Sequence, residues 1–138
     1  MRHKTVTLIL IGSFLLALDA EPSDKKSKVI LAVVPTTETE LVSQAKSYIG
    51  RELRSLRDVE ILERDPGLVS TVISIFPFSL KLSNGMTAGM GVSYVFEKDS
   101  VMSHGVMTGG PNDLKVLCEK VIAYFDTYWL EPRRKKEK

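Results

Sequence analysis

His104, Ser103 and Ser93 are the residues of this chain whose types and spacing come nearest to a reactive centre. An imidazole takes a serine's proton when the two lie within hydrogen-bond reach and a carboxylate orients the ring. Ser103 neighbours His104 along a predicted strand, so the two side chains point to opposite faces. Ser93, one strand earlier, is expected across from His104 on the solvent face, with no acidic third member in the pattern. A small hydrolase or ligand-binding enzyme centred on His104 is therefore the alternative reading, and an exposed strand histidine the preferred one. Zinc needs three or four ligands. With two histidines and one cysteine in the chain, and His3 in a removable leader, neither a metal nor another cofactor is expected.

The glycines are weaker signals. Thr108-Gly109-Gly110-Pro111-Asn112 before a helix has the outline of an anion cradle, but Pro111 removes a backbone donor and Asp113 puts its own negative charge at the helix start. A helix-entry turn is the simpler reading. Gly85, Gly89 and Gly91 do not form a nucleotide fingerprint, because a strand follows where a helix is required. Placed on one face with Ser79 and Lys81, Gly89 and Gly91 mark either strand irregularity or the approach of something flat. Lys81, Gly89, Gly91, Ser93 and His104 are thus the candidate binding residues.

These residues need elements to position them. Residues 29–34 are continuously apolar and end at Pro35, which suits a central strand buried on both faces. Thr37 and Glu40 are spaced as a capping box, and Leu41, Ala45, Tyr48, Ile49, Leu53 and Leu56 predict an amphipathic helix over 38–57. A short strand at 59–63 and an Asp65-Pro66-Gly67 turn follow. A long strand over 68–82 is predicted to bury Phe76, Phe78, Leu80 and Leu82 and to expose Pro77, Ser79, Lys81 and Ser83. Pro77 cannot donate to a ladder, so the strand is expected to be at an edge there or to bulge.

A three-residue loop, Ser83-Asn84-Gly85, would pair Leu82 with Met86, Leu80 with Ala88, Phe78 with Met90 and Phe76 with Val92. Val92, Tyr94 and Phe96 would then face inward, and Thr87, Gly89, Gly91 and Ser93 outward. After a turn near Lys98-Asp99, a strand over 101–108 completes the meander. The last helix is expected to open with Pro111 in its first position, to bury Leu114, Leu117, Cys118, Val121, Phe125, Tyr128 and Trp129, and to end at Pro132. The order βαββββα predicts a two-layer α/β (α+β) domain: a mixed, mainly antiparallel five-stranded sheet with two helices on one face.

The amino terminus supplies an address. Arg2, His3 and Lys4 precede an uncharged run over 5–18 that is too short to span a bilayer. Asp19-Ala20-Glu21-Pro22 follows, so residues 1–20 read as a signal peptide cut after Ala20. Leu18 is large for its place three residues before the bond. An uncleaved membrane anchor is the alternative, and a lipid anchor is excluded because the only cysteine is Cys118. Residues 21–28 read as a flexible lead-in, 29–132 as one domain and 133–138 as a basic tail.

The chain of 138 residues carries 19 basic and 17 acidic side chains. Five of the basic ones fall in the last six residues, Arg133, Arg134, Lys135 and Lys136 among them, and the body between leader and tail is net acidic. A nucleic-acid binder would carry its charge on the folded surface, so no specific nucleic acid is expected. A lone cysteine rules out an internal disulfide and favours a bacterial exported protein over a stapled eukaryotic one. Cys118, on a helix's apolar face, reads as a buried structural thiol.

The apolar strand from Val29 to Pro35, the helix ending Arg51-Glu52-Leu53-Arg54-Ser55-Leu56 and the segment from Asp58 to Asp65 resemble the TolB amino-terminal, LpoB and curli-secretion group of bacterial envelope domains. The resemblance covers about residues 29–65 and carries no catalytic signature. The later hairpin and the final helix resemble small exported bacterial proteins without an assigned function. The resemblance implies a non-enzymatic envelope module whose partner is another envelope protein; no functional residue carries over. Membrane contact is expected only if the leader is retained.

Overall fold

A computed structural model describes residues 25–64, 67 and 70–137. Residues 1–20, predicted as a signal peptide, lead-in residues 21–24, Asp65 and Pro66 of the predicted turn, Leu68 and Val69 of the predicted long strand and Lys138 lie outside the described residues. The elements are β1 (Ser27–Val33), α1 (Thr39–Ser55), β2 (Val59–Leu62), β3 (Thr71–Lys81), β4 (Thr87–Lys98), β5 (Val101–Gly109) and α2 (Leu114–Tyr124). A π-helical stretch, Phe125–Leu130, then joins α2 to α3 (Glu131–Lys136).

The strands form one mixed sheet in the order β2-β1-β3-β4-β5. β1 pairs parallel with both β2 and β3, and the β3–β4 and β4–β5 pairs are antiparallel. This is the predicted α+β fold. Both helices pack on the same side, where Val29, Val59, Ile73, Ile75, Val92, Tyr94 and Phe96 meet Leu41, Ala45, Ile49 and Leu53 of α1 and Leu117, Cys118, Val121 and Phe125 of the last helix. Phe96 is the hub: its ring lies edge-on to Phe125 at 4.9 Å and to Trp129 at 6.0 Å, and stacks on Tyr94 at 4.9 Å. β1 is central but not buried on both faces. Val29 is covered, whereas Ala32 on the other side is exposed.

The β3–β4 hairpin departs from its prediction through one residue. The three-residue loop forms as expected: the Leu82 amide donates to the Met86 carbonyl at 2.8 Å, and Gly85 takes a positive φ of 82°. Lys81 therefore pairs with Thr87, but the next pair is Leu80 with Gly89, because a bulge absorbs Ala88. Beyond the bulge Phe78 pairs with Gly91, Phe76 with Ser93 and Pro77 with Val92. Side chains alternate with a period of two, so a one-residue slip exchanges the faces of all that follows. Ile73, Ile75 and Pro77 go into the core, and Phe76, Phe78 and Leu80 go to the opposite face.

Pro77 is nevertheless at a local edge. Ile75 accepts the Val34 amide at 2.8 Å, where β1 has run out. Pro77, two residues on, turns its missing donor to that vacated side.

The helix ends also correct the prediction. The Thr37–Glu40 box does not form; the Glu38 amide donates to Thr36 Oγ1 at 3.1 Å, and the Glu38 carboxylate accepts the Ser79 hydroxyl at 2.8 Å. Pro111 precedes α2 rather than opening it. Asp113 is the N-cap residue and its carboxylate accepts the Gly110 amide at 2.7 Å.

At the far end, the π-helical stretch widens the turn, bringing Trp129 and Leu130 inward and leaving Tyr128 65% exposed rather than buried. Trp129 Nε1 donates to the buried Thr71 Oγ1 at 3.3 Å. The helix does not end at Pro132, which falls in the first turn of α3, where its missing amide costs nothing.

A candidate binding face on the open side of the sheet

The helices cover one side of the sheet, and no described element covers the other. Pairing across β3, β4 and β5 lays that side out in rows: Phe78–Gly91–Thr108, Phe76–Ser93–Val106 and Ser74–Val95–His104. Ala32 of β1 continues the third row. Phe76 is 42% exposed and Leu80 45% along β3, and Met102 and Val106 are each 61% exposed along β5. Among the described strand residues, charge enters this side only at its margins, at Lys28, Glu60 and Glu97. Exposed apolar patches of sufficient size are, as a general rule, candidates for interaction surfaces.

Gly91 makes the Phe78 row work. A Cβ there would collide with the Phe78 ring, so the glycine lets that ring lie flat across β4. The flat object expected there is, over Gly91, a side chain of the protein itself, while Gly89 is approached by the Gly109 carbonyl and the Leu80 side chain. Phe76 stands 6.3 Å from Phe78, ring to ring, and the two form an aromatic ridge along β3.

The sequence-derived candidates divide. Gly89, Gly91, Ser93 and His104 share the open face, by the strand registers. Lys81 does not join them: it falls on the helix side of β3, the side of Ser79, and pairs with Thr87 beyond the bulge, so its grouping with the two glycines is corrected. His104 stands opposite Val95 and between Met102 and Val106, while Ser93 stands opposite Val106, diagonal to His104. Ser103 pairs with Phe96 on the helix side. Val95, not a serine, is therefore the direct neighbour of His104 across the strands. Among the described residues no cluster of three or more His, Cys, Asp or Glu is placed to hold a metal.

The basic tail is also partly corrected. Arg134 donates to both Asp58 oxygens, at 2.6 and 2.8 Å, and lies 2.7 Å from Asp126. That hydrogen bond holds the Asp58 carboxyl below its usual range. Arg133 stacks 3.9 Å over the Trp129 ring and donates to the Trp129 carbonyl at 2.7 Å. Only Lys135 and Lys136 are left as the solvent-exposed part that the sequence suggests for all four. Cys118 is buried and free, as expected, and burial pushes its thiol up to about 12, which makes it a poor nucleophile.

Sequence reasoning missed Phe76, Phe78, Leu80, Val95 and Val106 as members of this face. The signal that could have found them is Gly91: a glycine opposite a large aromatic on the same face makes room for the ring.

No protein-family profile matches the chain, and no curated protein does. Solved structures similar to it include a PelC dodecamer from Paraburkholderia phytofirmans, 20% identical, with a TM-score of 0.47, covering 72% of this chain and 88% of that one. A single-substitution variant of the same dodecamer is 16% identical, with a TM-score of 0.47, covering 73% and 89%.

Proposed function

We propose that the chain is an exported, non-enzymatic binding or assembly module of the bacterial envelope that engages a protein partner through the open face of its sheet. The observation that carries this reading is the aromatic and aliphatic row Phe76, Phe78 and Leu80 along β3, with Phe76 and Leu80 exposed and the exposed Val106 across Ser93 from Phe76. Leaving such side chains in water forgoes about 25 cal/mol per Å² of burial, which a docking partner recovers. The leader over residues 1–20 and the resemblance over residues 29–65 support the compartment and the partner class.

The site chemistry supports binding over catalysis. His104 is set among Val95, Met102 and Val106, a surrounding suited to contact rather than to proton transfer.

Site-directed photocrosslinking in living cells tests the proposal. A crosslinking side chain at position 106 is expected to capture an envelope protein other than a second copy of this chain, whereas one at Lys46, on the exposed helix side, captures none. Equal capture at both positions, or none at 106, overturns it. Mass spectrometry of the mature amino terminus, expected to begin at Glu21, tests the export part separately.

A further inference from the structure

The sheet has two edges, and they are built differently. β2 spans four residues, contains Glu60 and is flanked by Asp58, Glu63 and Arg64. Short, charged edges of this kind resist pairing with another strand. β5 spans nine residues, Val101–Gly109, with no charged residue and no proline. Its partner β4 lies on one side only. The chain joining them is a two-residue turn, with Asp99 and Ser100 both at positive φ, which makes Lys98 and Val101 the hydrogen-bonded closing pair. Hydrogen-bonded pairs then recur at every second residue. Met102, His104, Val106 and Thr108 therefore turn their backbone amides and carbonyls away from β4, to the open edge.

We infer that β5 pairs with β5 of a second copy of this chain, antiparallel about a two-fold axis at Gly105. His104 of one copy then faces Val106 of the other, and Met102 faces Thr108, so all four outward-turned residues find partners. An antiparallel self-pair is complementary to itself by symmetry. The absence of charge along β5 means that no like charges meet across the seam. The result is one continuous ten-stranded sheet, with all helices on one side and the two open faces joined on the other.

A seam of nine residues is about 30 Å long. At about one sheet thickness it falls below the roughly 1,200 Å² of a stable complex even with Met102 and Val106 added, so the dimer is concentration-dependent. This inference does not rest on what the open face binds.

Sedimentation equilibrium of the purified protein from about 10 µM to about 1 mM, the range for an interface of this size, is expected to show the mass doubling. Residue-resolved amide exchange at the upper end is expected to slow at residues 102, 104, 106 and 108. An amide covered in nine-tenths of the molecules exchanges about tenfold more slowly. The amides of 103, 105 and 107, already bonded to β4, should not respond. Val106→Pro, which removes one outward donor at a position where an edge tolerates proline, is expected to restore the monomer mass; should it not fold, the exchange pattern of the unaltered protein decides. Leu80→Lys, on the open face away from β5, is expected to leave the doubling intact. A mass that stays monomeric throughout overturns the inference, as does a dimer without the alternating protection or one that Leu80→Lys dissolves.

Discussion

On the helix side of the sheet, Tyr94 lies over Gly105 of the next strand; on the open side, Phe78 lies over Gly91. Each glycine is where a Cβ would strike an aromatic ring of the adjacent strand. Tyr94 is then sealed beneath Tyr124, whose ring lies 5.7 Å away, and is only 5% exposed. The ring beside Phe78 is that of Phe76, itself 42% exposed. The same local motif thus serves as core on one side and as surface on the other. An aromatic packed on a glycine reports close strand neighbours; it takes a covering layer to make a core.

The sharpest way to break that comparison is at the hub of the covered side. Phe96→Ala is expected to cost about 3–5 kcal/mol of stability, read as a lower denaturant midpoint, because the ring is fully buried against Phe125 and Trp129.

The two glycines sharpen it next. Gly105→Ala should cost about 1–3 kcal/mol, since Tyr94 has no room to yield, whereas Gly91→Ala should cost less than about 1 kcal/mol because Phe78 swings into solvent. Equal costs by chemical denaturation would remove the distinction between the faces.

Arg134→Gln, at the rim of the covered side, should cost about 1 kcal/mol near pH 7, because the ion pairs are partly exposed. Its pH dependence has a definite sign. Asp58 has its pKa depressed in the folded state, so the stabilisation is present above the unfolded carboxylate range and fades as pH falls through the folded value. The difference between Arg134→Gln and the unaltered protein is therefore expected to begin shrinking below about pH 4 and to vanish only below the depressed folded pKa of Asp58.

The smallest effect on stability belongs to the open face. Phe76→Ser should change the denaturation midpoint by no more than about 0.5 kcal/mol while lowering the capture of a partner at position 106. A large loss of stability would mean that Phe76 is core.

Much of the architecture was legible before folding was considered. The apolar run at Val29, the helical spacing from Leu41 to Leu53, the Asn84-Gly85 turn and the burial of Cys118 all follow from periodicity and turn chemistry. The candidate face was half legible: Ser93 and His104 were placed on the exposed side, whereas Lys81 was grouped with the wrong partners. The end of the last helix was not legible either, because a π-helical turn shifts which residues face inward without changing composition.

What the sequence alone determined is the order of the elements, the three-residue loop at Ser83-Asn84-Gly85 and the two apolar strips along β3. Only the tertiary structure decided which strip the helices cover. Ile73, Ile75 and Pro77 on one side and Phe76, Phe78 and Leu80 on the other satisfy the alternation equally well. Because strand faces exchange at each one-residue step, the single extra residue Ala88 sent the aromatic strip outward, and the packing of α1 and α2 against the aliphatic strip settled the choice.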